Sequence, residues 1–411
     1  MPAALDPGQP YVLGFVGENA NGILRWWTGR IFERLSARGL AHQLIDLREE
    51  GWQQQLNQCL AVRKPLFCFS FQGMGTSIMA EDQTNLWQRS NIPFVTALGD
   101  NPYHAPRLHS ASGPGMCYLY CYDDFLQTYR DFCKGKSYAS TLCIGHPENP
   151  YADREPWERR EHDIVFVKTG VNPETLREQW KSAPGKIQGI LQESADLVLS
   201  GSDETVATIC AKVFAGKNIY WGDRLELFLS ACSLVDFYAR AVRAERMVRA
   251  LMRHDALIVG DWSYLDKSGC RARFMDPIAA EGLDDLYAKS KILVNTLPTI
   301  RFGLHERILA GFFAKSAVLS DTTSFVQKKL EGYASFFGLE IDQPTFAEEL
   351  DHTITSCLAD RTTPEKIQIS EELAKKAFSL EGYVQEILEH LQAAAYSLVV
   401  NYWQFPPPMI S

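Results

Sequence analysis

The chain has 411 residues, enough for two or three domains at roughly 150 residues each. Its content of 46% apolar, 22% charged and 11% aromatic residues excludes disordered, collagen-like and coiled-coil classes. Lys plus Arg number 41 against 50 Asp plus Glu, and the net charge of −9 excludes a bulk nucleic-acid binder while leaving room for a local basic pocket that takes one or two phosphates.

In chain order, Met1 to Pro10 has neither a basic start nor an apolar core, so no signal peptide is expected there. Tyr11 to Gly17 is a short apolar run that predicts a strand. The polar loop Glu18-Asn19-Ala20-Asn21-Gly22 follows, then a helix with Ile23, Trp27, Ile31 and Leu35 on one face. Gly39 ends that helix, and His42 to Leu47 reads as the second strand. Continuous apolar runs at Pro65 to Phe71, Ile92 to Leu98, Met116 to Cys121 and Thr141 to Ile144 supply further strands. Runs of this kind, separated by helices, are what a parallel sheet covered on both faces requires.

His146 to His162 carries three prolines and no apolar periodicity, and reads as a linker. The expected division is therefore 1–150 and 151–411, an α/β chain of two Rossmann-like domains. The alternation resumes with a strand at Asp163 to Val167. A helical stretch from Pro173 to about Arg253 is broken near Pro184, Gly201 and Gly216. Strands follow at Ala256 to Val259, Lys291 to Thr296 and Ala317 to Ser320, with a helix over Gly303 to Lys315, then three helical segments from Pro344 to about Tyr396. The tail Phe405-Pro406-Pro407-Pro408 cannot be regular structure.

Nowhere do 18 apolar residues run together, so no transmembrane segment is expected. The ten cysteines are scattered, some inside apolar runs such as Phe67-Cys68-Phe69, and read as free thiols. Cys117 and Cys121 have no second ligand pair, and no metal site is expected. Together these point to the cytoplasm.

Ligands of open parallel sheets bind beyond the carboxyl ends of the strands, so the chemistry is sought in the loops there. The loop from Gly17 to Gly22 brings amides and a helix start toward a cleft and offers Glu18, although a tight turn with an Asn cap explains it equally well. Gly14, Gly17 and Gly22 lack the G-x-G-x-x-G spacing, while Asp46 stands where a ribose-binding acid would. Gly99-Asp100-Asn101-Pro102-Tyr103-His104 sets a carboxylate and an imidazole at one strand end, the groups a general base needs, or else forms an Asx turn before Pro102. Two shorter loops, Lys168-Thr169-Gly170 and Gly260-Asp261-Trp262, follow strands of the second half.

The most informative segment runs from Val294 to Asp321, where a strand gives way to a Pro and Gly loop and then to a helix whose first turn holds His305, Glu306 and Arg307. Helix-start amides, the dipole and a guanidinium all favour an anion such as a diphosphate, and Glu306 can accept ribose or sugar hydroxyls. The bland alternative is an exposed helix start with a local Glu and Arg pair.

This segment resembles the C-terminal motif of group 1 glycosyltransferases of the two-Rossmann-domain GT-B fold, in particular the spore-maturation-protein-like branch. Asp163 to Gly170 and Gly282 to Lys291 resemble the segments that precede it in that family. The resemblance covers roughly 163 to 325, and residues 1 to 150 share only the architecture. It implies two domains facing across a cleft, with the nucleotide-sugar donor on the second domain near Lys168, Gly170, Gly260, Asp261, Gly303, His305, Glu306 and Arg307. It implies metal-independent transfer in that cleft, with no cofactor beyond the donor as co-substrate. Two positions depart from the family: Ala310 replaces a ribose-holding Glu, and Lys315 replaces a Gly. Glu306, one turn earlier, can stand in for the missing Glu.

The function expected is a glycosyltransferase with Asp100, His104 or Glu18 as base on the first, acceptor-side domain. The acceptor would be a glycan, a lipid-linked glycan or a protein, with peripheral membrane association open. Alternatives are a non-catalytic nucleotide-sugar binding protein, an NAD-dependent oxidoreductase using Asp46, and, from His146-Pro147, a CMP-sugar enzyme. Trp26, Trp27, Tyr103 and Trp262 are candidates for stacking on sugar rings, with the core as their competing destination. The acidic surface is expected to be interrupted by one cationic pocket around Lys168, His305 and Arg307.

Overall fold

A computed structural model describes residues 8–18, 22–110, 113, 115–133, 135 and 137–404. The tail at 405–408, the first seven residues and Asn19 to Asn21 of the first loop lie outside these. The chain forms two units. One runs to Ile144 and resumes at Leu380; the other is Gly145–Ser379.

The first unit holds six strands: β1 (Tyr11–Val16), β2 (Ala41–Asp46), β3 (Cys68–Phe71), β4 (Phe94–Leu98), β5 (Met116–Tyr120) and β6 (Tyr138–Thr141). Their order is β2-β1-β3-β4-β5-β6, and every pairing is parallel. β1, β3, β4 and β5 are buried throughout, as continuous apolar runs sandwiched between helices must be. The helix Ile23–Ala37 lies directly on β1, because a Cβ at Gly14 would fall 2.2 Å from the Phe32 ring. The chain leaves β1 for β2 on one side and returns to β3 on the other, which opens a crevice at the carboxyl ends of β1 and β3.

The second unit holds β7 (His162–Val167), β8 (Ala256–Val259), β9 (Arg273–Met275), β10 (Ser290–Asn295), β11 (Ala317–Asp321) and β12 (Phe336–Leu339). The order β12-β11-β10-β7-β8-β9, again all parallel, is that of a Rossmann sheet, and the reversal falls between β7 and β10. Both sheets thus agree with the α/β, doubly Rossmann-like class read from the apolar runs. Helices Pro173–Gln179, Gly185–Leu199, Val206–Gly216 and Leu225–Leu251 break close to the expected Pro184, Gly201 and Gly216.

Four expectations need correction. The last helix, Leu380–Gln404, belongs to the first unit rather than to a 151–411 domain: Leu380, Tyr383, Val384 and Ile387 follow helical spacing and join the core of Trp27, Ile31, Phe69 and Val95. The stretch from His146 to His162 is no loose linker. Asn149 Nδ2 donates to Asp284 O (2.8 Å), Trp157 Nε1 to Lys291 O (2.9 Å), and the buried Arg160 guanidinium to Ser290 O and Ala314 O, so side-chain donors bind it to backbone carbonyls of the second unit. β6 precedes the expected Thr141 to Ile144, and β9 and β12 were not expected at all. These three are the edge or near-edge strands, which need no continuous apolar run. The helix expected over Gly303 to Lys315 begins only at Glu306.

Candidate functional site

At the carboxyl end of the second sheet the loops after β7 and β8 lock together. Lys168 N donates to Val259 O, Gly170 N to Asp261 O, both at 2.9 Å, and Trp262 Nε1 to Lys168 O at 2.7 Å. This approach admits no side chain. Gly260 has φ of 135°, and a Cβ on it would sit 2.2 Å from Lys168 O. A Cβ on Gly170 would meet the Trp262 ring at 2.4 Å. Both glycines serve loop packing directly, and Asp261 is exposed with its carboxylate accepting from Ser263 N (2.9 Å).

The loop after β10 is tied down from two sides before its helix begins. Leu297 N donates to the buried Asp321 carboxylate at the end of β11, and Thr299 Oγ1 to Asp236 on the helix Leu225–Leu251. Asp236 is fully buried and also pairs with Arg240 at 2.8 Å, one turn away. Gly303 lies buried in this loop, ahead of the helix Glu306–Phe313.

His305 is the N-cap of that helix, with extended backbone, and its Nδ1 accepts the Arg307 N–H at 3.4 Å. The other ring nitrogen, Nε2, lies 3.1 Å from Glu306 Oε2, so the neutral Nε2–H tautomer satisfies both contacts. Burial, then Arg307, Lys168 and Arg240, drive the His305 pKa well below its ordinary value. The expected three-charge pocket therefore lacks the imidazolium. His305 shapes the site as a cap, because burial and the neighbouring cations leave its ring uncharged.

The basic groups that remain are Arg307, fully charged, and Lys168, which shares its proton near pH 7. Arg307 Nη1 donates to Val167 O (3.0 Å), which pins the guanidinium to the end of β7, and its Nε is 3.7 Å from Glu306 Oε1. Lys168 has no ion-pair partner among the described residues. Burial first, then Arg307 and Arg240, push its pKa down to about 7, against the opposing pull of Asp321 and Glu306. Burial raises the Glu306 carboxyl while Arg307 opposes the rise. Two crowded basic groups at a helix N-terminus, over the crevice where a Rossmann sheet reverses, give this edge electrostatics that favour an anion.

The departures noted in the sequence have plain structural outcomes. Ala310 is buried against Val165, Val259 and Leu293, so the helix offers no carboxylate there. Lys315 takes a left-handed φ of 55°, a conformation Gly adopts more readily, and its Nζ reaches Asp153 and Glu371.

In the first unit Asp100 and His104 share the end of β4. Asp100 is exposed and accepts from Gln72 Nε2 at 2.8 Å, and the His104 ring stands edge-on to Tyr103. Glu18, exposed after β1, is two strands away from them, on the order of 10 Å at the usual strand spacing. Asp46 is occupied by Arg25 and Arg48, so it has no carboxylate lone pair to spare for a ribose. His146 is buried, with its ring stacked on Phe313, which makes His146-Pro147 a packing element. Of the aromatic candidates, Trp27, Tyr103 and Trp262 belong to the core, and Trp26 is half-buried under Arg30.

Sequence reasoning passed over Asp236 and Arg240. The signal was there, a charged pair four apart in an otherwise apolar stretch of helix, but its partner Thr299 is 63 residues away.

No family model matches the chain, and no curated protein matches its sequence. Solved structures do. Anabaena Alr3699/HepE, in complex with UDP and glucose, matches over 93% of this chain and 100% of its own, with a TM-score of 0.52 at 12% identity. Sucrose-phosphate synthase from Thermosynechococcus elongatus matches over 95% and 100%, with a TM-score of 0.54 at 10% identity. An alpha-glucosyltransferase in complex with UDP-glucose and DNA containing an abasic site matches over 94% and 100%, with a TM-score of 0.53 at 8% identity. These likenesses show the fold, which is that of the GT-B glycosyltransferases. Among the described residues no helix is long and apolar enough to cross a membrane.

Proposed function

We propose that the chain is a cytoplasmic glycosyltransferase of the group 1 type, which moves a sugar from a nucleotide-sugar donor to an acceptor hydroxyl without a metal ion. The observation that carries this is Lys168, a cation without an ion-pair partner, beside Arg307 at the N-terminus of the helix Glu306–Phe313. Breaking a glycosyl–diphosphate bond builds negative charge on the leaving diphosphate, and two cations with helix amides stabilise that charge where water is scarce. Glu306, beside them, accepts hydroxyls of the donor in place of the carboxylate absent at Ala310. The first unit takes the acceptor, a glycan, lipid-linked glycan or protein, and Asp100, His104 or Glu18 removes its proton if the reaction inverts. The match to a structure holding UDP and glucose supports the donor class.

Thermal-shift titration with UDP, GDP, CMP, dTDP and NAD tests the binding half. Stabilisation by one nucleoside diphosphate and none by NAD is expected, and the reverse would sink the proposal. Transfer from the matching donor across an acceptor panel tests the catalytic half. The buried Ala310 favours one alternative, a binding protein without activity. Tight donor binding with neither transfer nor hydrolysis would establish it.

A further inference from the structure

The turn that ends β3 is closed by a hydrogen bond from Met74 N to Phe71 O (3.1 Å), and its two central residues, Gln72 and Gly73, both take left-handed φ, 52° and 70°. Two central residues at positive φ are the pattern of a type I′ turn, whose first central position favours Asn, Asp or Gly. Gln is a poor fit there, because only Gly and the short polar side chains visit that conformation routinely. A residue persists in such a conformation only where its surroundings hold it, and residues of this kind cluster at working sites.

The surroundings here are β4 and the loop after it. Gln72 N donates to Ala97 O and Gly73 N to Thr96 Oγ1, both at 2.9 Å. A Cβ on Gly73 would lie 2.6 Å from Leu108, so the turn is also pressed against the chain beyond His104. With the backbone fixed in this way, the half-buried Gln72 side chain runs to the end of β4, where Nε2 donates to Asp100 Oδ2 at 2.8 Å. A neutral amide thus holds one oxygen of an exposed carboxylate, and among the described residues the other, Oδ1, keeps its lone pairs for an outside donor. Glu18 is exposed too, but among the described residues nothing fixes its carboxylate.

We propose that Gln72 is a positioning residue, and that the group it aims, Asp100, is the one that receives the acceptor hydroxyl. Oδ1 accepts the hydroxyl's hydrogen bond, which orients the nucleophilic oxygen and raises its electron density. Gln72 itself touches no reacting atom. It acts by restricting the carboxylate to one orientation without adding charge to it. This rests on the transfer reaction proposed above and chooses one of its three candidate acids and bases.

Transfer kinetics of Gln72→Asn and Gln72→Gly test the proposal, on the otherwise intact chain and in an Asp100→Ala background, with the melting temperature as the check on folding. Both substitutions suit the turn, so the fold should survive, yet Asn is one methylene too short for Asp100 and Gly carries no amide. Each should lower kcat/KM for the acceptor roughly tenfold with donor KM unchanged, the size expected of a hydrogen bond to a charged group. In the Asp100→Ala background the same changes should cost less than about twofold, because the carboxylate through which Gln72 acts is gone. Equal losses in the two backgrounds, which a merely structural role would give, or no loss in either, overturn the proposal and leave the transfer reading intact. Absence of transfer by the intact chain from every nucleotide sugar overturns both.

Discussion

The two sheets are both built of six parallel strands but treat charge at their carboxyl edges in opposite ways. In the first unit the acid ending the second strand, Asp46, captures Arg25 from the first turn of the preceding helix, Ile23–Ala37, and Arg48 beside it. The cation nearest that helix start is thereby neutralised, and the remaining edge offers exposed Glu18 and Asp100. In the second unit the acid after the second strand, Asp261, spends its carboxylate on the Ser263 N–H. Lys168 and Arg307 are left to crowd one another. A common architecture therefore supplies only the crevice. Whether a spare cation stands at its edge is decided by whether one carboxylate reaches a cation or a backbone amide.

The sharpest break of this contrast is Arg307→Ala. Transfer should fall by 100-fold or more with the melting temperature unchanged, since removing one such donor typically costs that much. Asp100→Ala should lower transfer while leaving nucleotide affinity as it was, and equal losses of nucleotide affinity in both variants would erase the distinction between the edges. Next comes Gly260→Ala, which forces a Cβ against Lys168 O at positive φ and should cost about 2–5 kcal/mol in denaturant unfolding. The matched change in the first unit, Gly22→Ala, has open space around its Cβ and only its φ of 75° against it, so it should cost about 1–2 kcal/mol.

A pH titration gives a smaller and more specific effect. Lys168 titrates near 7 in the folded chain against the ordinary lysine value when unfolded, so the unfolded chain holds the extra proton above pH 7. Stability from this group is therefore least below pH 7 and grows as pH rises toward the ordinary lysine value. Nucleotide binding runs the other way, weakening above pH 7 with proton uptake on binding, which calorimetry in buffers of different ionisation enthalpy can read. Lys168→Met should abolish that uptake. Smallest is Asp46→Asn, expected to cost about 1 kcal/mol and to leave nucleotide affinity unchanged. Loss of nucleotide binding there would restore the ribose role of Asp46.

The sequence by itself determined most of the architecture. Short apolar runs such as Ile164 to Val167 and Ile292 to Val294, set between helical stretches, read as strands of a covered parallel sheet, and helix breaks at Pro184 and Gly201 are local backbone chemistry. It also singled out Arg307, because a cation in a helix's first turn after a parallel strand lies at the ligand edge, whereas Lys168 entered through the family resemblance. What only the tertiary structure decided depends on partners far apart in the chain. Leu380–Gln404 crosses back to the first unit because its apolar stripe fits a core built of residues more than two hundred positions earlier. His305 is held neutral by burial, reinforced by the cations Arg307, Lys168 and Arg240, and Arg25 is spent because Asp46 is in reach. A charge has a sequence position, but its ionisation and availability belong to its neighbours in space.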